Sequence, residues 1–590
     1  MYRDEYPRPD FVREQWMCLN GIWDFEFDDN NTGLSSKWYK KDHKFSQKIN
    51  VPFVFQSKLS NIDTNDFHDF IWYKRSFKIE NSWKDKDILL HFGAVDYRCL
   101  VYINGELAGT HEGGHTSFYF NITNYLTWDE EEITVYVEDP SDDETIPRGK
   151  QYWLENPESI WYKRSSGIWQ SVWIEPVNKN HITDFKCTPL FDHGSVEFDI
   201  KTKFSEENTK IMVQISFGDI QIAEDIISMN SKEIKRVYDI FQKKVFRGCS
   251  HGSGWTWTPE NPNLFDVTLT LITNDKIIDK VSSYFGMRKI HTENGKIYLN
   301  NRPYYQRLVL DQGYWPDSLM TAHSDKDFEK DILLAKKMGF NGCRKHQKIE
   351  DRRFLYWADK LGYLVWSEMP STISYDSNSV SRVTNEWIES VDRDYNHPCI
   401  VTWVALNESW GVSEINYNKM QQNHSLSLYY MLHSLDNTRL VITNDGWEIT
   451  KTDICAIHNY HHGTKDEKEK YEKFIKDLGT KEEILDSAPA GRNVYANGFE
   501  YMGEPVMLTE FGGIGYDKIR PDGWGYTVAS NETEFIHDLE RVFDALRKSK
   551  ILTGFCYTQF TDVEQEINGL LTYSREPKCD LEIIKNIVVK

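Results

Sequence analysis

Two glutamates stand at the ends of nearly continuous apolar runs in this chain. Glu408, preceded by Asn407, ends one run within residues 402–410, and Glu510 ends another within residues 505–513. Apolar runs of this kind are typical of strands buried on both faces of a parallel sheet. Two such strands, each with a glutamate at its C-terminal tip, predict two carboxyl groups in one pocket. A protonated carboxyl can donate to a leaving oxygen while an ionised one attacks or activates water, which is the equipment for cleaving a glycosidic bond.

From about residue 288 onward, apolar segments alternate with stretches of helical period. Eight segments are predicted to be strands: residues 304–310, 342–346, 364–369, 400–408, 440–445, 454–460, 506–511 and 553–560. Helical patterns follow most of them, at residues 326–337, 351–360, 383–395, 417–435 and 532–548. Eight β–α units predict an α/β TIM barrel over residues 288–590. The connection between the sixth and seventh strands is long and irregular.

Polar residues collect at the C-terminal ends of these strands, where the active site of a TIM barrel lies. The candidates for substrate binding there are Asn407, Asp311, Arg344, His346, Glu368, His458, Tyr460, Gln559 and Asp562. Trp315, Trp410 and Trp524 lie in loops, where they either stack on sugar rings or belong to the core. This convergence around Glu408 and Glu510 favours catalysis over two solvated glutamates.

The first half of the chain reads as two all-β domains. In residues 1–180, short strand-like segments recur at 21–27, 88–92, 99–103, 133–137 and 171–174, and Asn104-Gly105 marks a two-residue hairpin. This spacing predicts a jelly-roll sandwich. Residues 181–287 continue with alternating segments at 195–200, 211–215 and 265–271, which predict an immunoglobulin-like sandwich.

Composition narrows the class of protein. The 590-residue chain has a formal net charge of -22, which disfavours nucleic acid and anionic membranes as partners. Its nine cysteines are widely spaced, with no C-x-x-C pair, so neither a disulfide framework nor a zinc site is expected. The N-terminus has no apolar signal region and no run approaches a membrane span. We therefore expect a cytoplasmic protein with reduced thiols.

The stretch that leads into Glu408 resembles a family signature. Residues 396–408 read NHPCIVTWVALNE, similar to the N-H-P-S-I-I-x-W-x-x-x-N-E pattern of glycoside hydrolase family 2, and residues 509–513 read TEFGG, similar to its nucleophile strand. The predicted domain order also resembles that of the family. Cys399 and Val404 depart from the usual residues, but neither carries chemistry. The family includes β-galactosidases, β-glucuronidases and β-mannosidases.

The resemblance implies a retaining double displacement. Glu408 would be the acid/base, Glu510 the nucleophile, and Asn407 the partner of the sugar 2-hydroxyl. Family members often form dimers or tetramers, so a homo-oligomer is expected. The first domain can also lend a loop to the barrel's site in this family, and the segment 161–169 is the candidate here. No cofactor and no required metal are predicted, so Glu368 is expected to accept from a sugar hydroxyl rather than hold an ion.

The sugar is harder to predict. Glucuronide-cleaving members share an Asn-x-Lys pair after strand eight that binds the sugar carboxylate. The equivalent stretch, residues 564–572, has Asn568 and two acids, and residues 551–577 contain no lysine. A neutral sugar, with β-galactoside first, is therefore expected. Arg344 or Lys345 could still pair with a carboxylate, so a β-glucuronide or β-galacturonide stays open, as do a non-catalytic carbohydrate-binding protein and a metal-dependent lyase.

Overall fold

The first region of the chain is a β-sandwich. The computed structural model describes residues 3–204, 206–241, 254–517 and 523–590. A six-stranded sheet, in the order β3-β2-β4-β10-β7-β8, faces a four-stranded sheet, β1-β12-β5-β9, across one apolar core, and β6 pairs with β11. The strands are β1 Met17–Cys18, β2 Gly21–Phe27, β3 Gln47–Val51, β4 Phe70–Phe77, β5 Asp87–Phe92, β6 Val95–Asp96, β7 Arg98–Ile103, β8 Glu106–Glu112, β9 Phe118–Asn121, β10 Glu131–Glu138, β11 Gly167–Ile168 and β12 Val172–Val177.

The predicted hairpin at Asn104-Gly105 is confirmed. Strands β7 and β8 pair antiparallel on either side of it, and the φ angles of Asn104 and Gly105 are 51° and 78°. Positive φ at both central residues is what a tight hairpin turn of this type requires. The strand segments predicted in this region all fall within observed strands or overlap them.

The second region is a smaller sandwich. Its strands are β13 Ile182–Leu190, β14 Ser195–Thr202, β15 Thr209–Phe217, β16 Ile220–Ser228, β17 Glu233–Asp239, β18 Phe265–Thr273 and β19 Lys276–Phe285. They form a three-stranded sheet, β13-β14-β17, and a four-stranded sheet, β16-β15-β18-β19. Buried and partly exposed residues alternate along β14 and β15, because one face of each strand packs into the shared core.

The third region is the predicted barrel. A short sheet of β20 Ile290–Glu293, β21 Lys296–Leu299 and β22 Arg302–Pro303 precedes it. The barrel strands are β23 Gln306–Asp311, β24 Gly342–Lys345, β25 Leu364–Glu368, β26 Ile400–Val404, β27 Leu440–Ile442, β28 Cys455–His458, β29 Val506–Glu510 and β32 Leu552–Tyr557. They lie in the order β27-β26-β25-β24-β23-β32-β29-β28, all parallel. A single bridge between Gly446 and Ile457 joins the two ends of this order.

Helices surround the barrel strands. They are α1 Asp325–Lys337, α2 Arg352–Leu361, α3 Ser377–Asp394, α4 Lys419–Leu435, α5 Lys468–Asp477, α6 Lys481–Leu485, α7 Glu532–Lys548 and α8 Leu581–Val589. Helix α7 has the predicted bounds, with Asn531 as its N-cap acceptor. Helix α3 begins six residues before the predicted start, because the Asp376 side chain caps it there.

Several details differ from the predictions. The fourth strand ends at Val404 rather than at residue 408, and the fifth ends at Ile442. Helices α5 and α6 occupy the connection expected to be irregular, and α8 was not predicted. Strands β30 Ile514–Gly515 and β31 Thr527–Val528 form a small ladder after the seventh barrel strand. The predicted fold class, two sandwiches followed by a TIM barrel, is confirmed.

Within the described ranges, none of the helices is both long enough and apolar enough to cross a bilayer.

Candidate active site

Glu408 lies in a tight turn just beyond strand β26. That strand ends at Val404, and past its end Asn407 forms a single parallel bridge with Asp445. The φ angles of Glu408 and Ser409 are 51° and 59°, in the left-handed region that residues other than glycine rarely adopt. The backbone N–H of Glu408 donates to the carbonyl of Asp445 at 2.8 Å and holds the turn. Strain of this kind is often found at functional sites, and here it presents Glu408 at the barrel mouth.

Glu510, the last residue of strand β29, accepts hydrogen bonds from two donors. Arg344 Nη1 donates to Oε1 at 2.8 Å, and the hydroxyl of Tyr460 donates to Oε2 at 2.6 Å. Tyr460 is held in turn by the Thr558 hydroxyl at 2.8 Å and by stacking on Tyr526, with ring centroids 3.5 Å apart. Both donors favour the ionised carboxylate.

The two carboxyl groups are close together. One oxygen of Glu408, one of Glu510 and a ring nitrogen of His458 all lie within 4.8 Å of one another. Carboxyls about 5–5.5 Å apart suit a retaining glycosidase, whereas an inverting enzyme needs about 6.5–9.5 Å to admit a water. The pair therefore has the spacing for direct attack by one of its members.

The same trio has the composition of a small metal site. Each member, however, already has a hydrogen-bond partner: His458 for Glu408, Asp445 for His458, and Arg344 and Tyr460 for Glu510. The expectation that the site needs no metal stays a prediction, which assays with a chelator will test.

Arg344 is the centre of a fully buried charge network. Its Nε lies 2.5 Å from Glu368 Oε2 and 3.1 Å from Asp445 Oδ2, and its Nη2 donates to Asn407 Oδ1 at 2.5 Å. Burial raises the pKa of Glu368 to about 8, against the opposing influence of Arg344. The guanidinium thus touches three carboxyl groups and an amide, and it fixes the orientation of Asn407 and Glu510.

His458 connects Glu408 to the charge network around Arg344 through Asp445. Its Nδ1 lies 2.7 Å from Glu408 Oε1, and its Nε2 lies 3.1 Å from Asp445 Oδ1. Burial lowers the pKa of His458, but the charge of Glu510 and the hydrogen bonds with Asp445 and Glu408 outweigh it and raise the pKa to about 10. The proton between His458 and Glu408 therefore lies on His458 in the free site.

The pKa values of the two glutamates move in opposite directions. Burial alone would raise the pKa of Glu408, but the hydrogen bond and charge of His458 outweigh burial and lower it. Burial raises the pKa of Glu510, and the charge of Glu408 adds to the rise, while His458 and Arg344 oppose it. Because the carboxyls are so close, they titrate together. A general acid at Glu408 must therefore draw its proton from this shared system.

The pocket above the two glutamates has walls from two domains. The barrel contributes Leu310, Gln312, His346, Gln347, Asn407, Glu408, Trp410, Tyr460, Glu510, Tyr526, Thr558 and Glu566. The first sandwich contributes Lys150, Ile160 and Trp161. Trp161 meets Trp410 edge to face, with ring centroids 5.0 Å apart. A segment of the first domain thus closes one side of the barrel mouth.

Gly149 lets that segment approach the barrel closely. Its φ is +59°, and a Cβ there would lie 2.6 Å from the carbonyl oxygen of Gln347. Its backbone N–H donates to the carbonyl of Ser371 at 3.1 Å. Only glycine fits both the conformation and the space, so this position brings Lys150 to the pocket.

Hydrogen bonds join the other end of the segment to the loop after strand β32. The Tyr162 hydroxyl donates to Glu566 Oε2 at 2.5 Å, and Gln565 Nε2 donates to the carbonyl of Trp161 at 2.7 Å. The backbone N–H of Lys163 donates to Glu564 Oε2 at 3.1 Å. The first domain and the barrel loop are therefore fixed to each other at the pocket edge.

The structure divides the predicted site residues, apart from two loop tryptophans, into two groups. Asn407, Glu408, Glu510, His346, Tyr460 and Trp410 line the pocket. Asp311, Arg344, Glu368, His458, Gln559 and Asp562 are buried behind its wall, where neighbouring side chains use their polar atoms. Trp524 does not line the pocket but packs against Tyr526, with centroids 4.9 Å apart. Trp315 is a core residue, 2% exposed, rather than a sugar platform.

Several lining residues were not predicted. The segment 161–169 was expected to reach the site, and its Trp161 does line the pocket, but Lys150 precedes that segment in a loop with no periodic pattern. Gln347 directly follows the predicted second strand and Thr558 lies near the end of the predicted eighth strand, which is a signal that could have found them. Tyr526 follows the seventh strand at a distance of sixteen residues, so only the fold places it beside Tyr460.

Three models of one protein family together match almost the whole chain. The family model described as "Glycosyl hydrolases family 2, sugar binding domain" matches residues 16–174, "Glycosyl hydrolases family 2" matches residues 180–288, and "Glycosyl hydrolases family 2, TIM barrel domain" matches residues 290–590.

Individual proteins that match this chain have low sequence identity to it. A β-galactosidase of Thermoanaerobacter pseudethanolicus is 26% identical over 439 residues, which cover 71% of this chain and 53% of that protein. A putative β-glucuronidase of Formosa agariphila is 26% identical over 406 residues, covering 67% and 47%. The chain thus spans about half the length of these relatives. A β-glucuronidase structure from Ruminococcus gnavus, in complex with D-glucuronic acid, superposes with a TM-score of 0.78 over 100% of both chains at 20% identity, a likeness of fold.

Proposed function

The chain belongs to glycosyl hydrolase family 2, and from that premise we propose that it is a retaining β-glycosidase that removes a terminal sugar by double displacement. One observation carries the proposal: carboxylate oxygens of Glu408 and Glu510 lie within 4.8 Å of each other at the barrel mouth. That spacing suits a nucleophile and an acid on the same glycosidic bond.

In the first step, Glu510 attacks the anomeric carbon while the bond to the aglycone oxygen breaks. Glu408 donates a proton to that oxygen, so the aglycone leaves as a neutral alcohol and the sugar is left as an ester of Glu510. His458 Nδ1, 2.7 Å from Glu408, supplies the proton that the acid requires. Arg344 and Tyr460 hold Glu510 in place for the attack.

In the second step, water hydrolyses the ester. Esterification removes the negative charge of Glu510, so Glu408 loses a repulsive neighbour and its pKa falls further. Glu408 can then accept a proton from the attacking water, which restores both carboxyl groups and releases the sugar with its original anomeric configuration. Asn407, held by Arg344 at 2.5 Å, is proposed to contact the sugar 2-hydroxyl in both steps.

Residues of the barrel support a β-galactoside as the glycone. Glu566 lines the pocket, and a carboxylate there disfavours a uronate. The lysine that follows this loop, Lys578, is buried against Asp562 at 2.6 Å. A β-glucuronide or β-galacturonide is the second candidate, favoured by the presence of Lys150 in the pocket.

We further propose a cytoplasmic location and a homo-oligomer. The described cysteines form no disulfide with one another, which fits a reducing compartment. Oligomerisation rests on the family resemblance, and light scattering will measure it.

A panel of nitrophenyl β-glycosides tests the proposal. Galactoside, glucuronide, galacturonide, glucoside, mannoside and arabinopyranoside should be assayed with and without a chelator. We expect nitrophenol release from at least one of them, unchanged by the chelator. Tight glycan binding with no turnover would identify a binding protein instead, and strict loss of activity with the chelator would identify a metal-dependent enzyme.

A further inference from the structure

We propose that Lys150 of the first domain is the residue that selects a glycone bearing a carboxylate, so that this domain sets the preference for uronic acids over neutral sugars. The inference rests on the proposed glycosidase activity and favours the second candidate glycone, a β-glucuronide or β-galacturonide, over the β-galactoside that the barrel residues support. Within the described part of the chain, no carboxylate contacts the ammonium group of Lys150.

The other cations close to the site are already paired. Lys345 Nζ lies 2.8 Å from Asp311 and 3.0 Å from Glu350. Lys348 Nζ lies 3.0 Å from Glu350 as well. Arg344 touches three carboxyl groups and Lys578 touches Asp562, as described above.

Lys150 differs from all of these. It is 6% exposed, yet no carboxylate oxygen of the described residues lies within ion-pair distance of its Nζ. Two aromatic faces lie near its Nζ, with the ring centroids of Trp161 and Tyr162 at 5.5 Å and 5.4 Å. Aromatic faces stabilise an ammonium only modestly. The side chain lines the pocket, so its donors are available to a bound sugar.

The charges around Lys150 act at longer range. Burial lowers its pKa, and Glu566, Glu510 and Glu408 oppose that change without contacting it. A buried ammonium without a partner is unfavourable. An anionic oxygen from a ligand would supply the missing partner, and a charge-assisted hydrogen bond is roughly twice as strong as a neutral one.

A neutral sugar would not need this lysine. Hydroxyl groups already find acceptors in the pocket, at Glu566 and Asn407. The charge of Glu566 is also partly satisfied, because Tyr162 and Asn568 donate to it at 2.5 Å and 2.9 Å. A carboxylate can therefore lie near Lys150 with less repulsion than the barrel loop alone suggests.

The test compares matched acid and neutral substrates. Nitrophenyl β-glucuronide is paired with the β-glucoside, and β-galacturonide with the β-galactoside. The selectivity is the ratio of kcat/KM for the acid to kcat/KM for the neutral sugar. We expect Lys150→Met to lower this ratio by about 10–100-fold, the value of a hydrogen bond to a charged group, and Lys150→Arg to retain part of it.

Lys163→Met is the matched control. Lys163 belongs to the same segment but lines clefts outside the catalytic pocket, so the ratio should not change. If Lys150→Met leaves the ratio unchanged, whether or not kcat/KM falls for both substrates, the lysine is structural and the inference is overturned.

A binding measurement separates this inference from the proposed activity. Free glucuronic and galacturonic acid should raise the Tm of the wild-type protein and not that of Lys150→Met. If no glycoside is hydrolysed but this difference is seen, the proposed activity fails and the role of Lys150 stands. If neutral glycosides are hydrolysed and neither uronic acid raises the wild-type Tm, the activity stands and the role of Lys150 is overturned.

Discussion

The buried cations on the two sides of the pocket differ in whether a carboxylate contacts them. In the barrel wall, Arg344 lies in contact with Glu368, Asp445 and Glu510, and its charge is balanced inside the protein. At the edge from the first domain, Lys150 is also buried, but its charge is not balanced by a contacting carboxylate among the described residues. We therefore expect the barrel side, the balanced wall, to carry out the chemistry. The first-domain side, the unbalanced edge, should select the sugar.

The two walls also differ in how they are held. Glu510 and Arg344 lie on barrel strands, whose ladders fix the backbone on both sides. Lys150 lies in a loop that is positioned by contacts with another domain, among them the close approach of Gly149 to Gln347. Changes in the barrel wall should therefore affect every substrate, whereas changes at the edge should distinguish between substrates.

The largest expected effect comes from Glu510, the proposed nucleophile. Glu510→Ala should lower kcat by about a thousand-fold or more on every substrate, because the covalent intermediate cannot form. Azide should restore turnover and give an α-glycosyl azide. Glu500→Ala, an exposed glutamate on the preceding loop, should have no effect. Near-normal turnover of Glu510→Ala would show that another residue attacks the sugar.

The next effect concerns the stability of the balanced wall. Arg344→Met leaves buried carboxyls without their partner, so the free energy of unfolding should fall by about 3–5 kcal/mol, measured by urea denaturation. Arg344→Lys keeps the charge but not the planar fork, and should recover part of this loss. An unchanged unfolding midpoint for Arg344→Met would mean that the charge network around Arg344 does not stabilise the barrel wall.

Replacing His458 should change how activity in the barrel wall depends on pH. In the wild type, the Glu408–His458 pair keeps its proton up to the raised pKa of His458, about 10, and loses it above that pH. In His458→Asn the proton must be held by Glu408 alone, whose pKa is lower than that. The alkaline limb of the kcat/KM profile should therefore move to lower pH. A limb that stays in place or moves upward would exclude His458 as the proton source.

The smallest expected effect comes from the loop that carries Lys150. Gly149→Ala introduces a Cβ where Gln347 leaves no room, so Lys150 should shift and kcat/KM should fall by a few-fold, with a loss of about 1 kcal/mol in stability. Gly491→Ala is the control, because Gly491 has a similar φ of +74° but open space around it. Equal effects on kcat/KM from both variants would show that the approach of this loop does not matter for activity.

The sequence predicts the barrel wall well because strands buried in a barrel are apolar along their whole length. The apolar runs correspond to the eight barrel strands, and the glutamates at the ends of two of them, Glu408 and Glu510, lie together in the pocket. Which other polar residues face the pocket is less predictable. Glu368 and Asp562 also lie at strand ends, yet Arg344 and Lys578 hold them behind the wall. Strand ends locate the site, but only the partners of each side chain decide whether it is free to bind a sugar.

The family resemblance led to the segment 161–169, whose Trp161 lines the pocket, but Lys150 was beyond sequence reasoning for a physical reason. Lys150 lies more than two hundred and fifty residues before Glu408 in the chain, and no periodic pattern marks its loop. It reaches the pocket because two domains pack together, and the sequence carries no local signal of that packing. The missing lysine after strand eight predicted a neutral sugar, while the structure supplies a lysine from elsewhere in the chain.

Trapping the intermediate tests the account most directly. The protein should be incubated with an activated 2-deoxy-2-fluoro glycoside of whichever sugar it hydrolyses, then digested and analysed by peptide mass spectrometry. The account predicts one fluoroglycosyl group, attached to Glu510. A label on another residue, or no label together with release of the α-anomer as the first product, would contradict it.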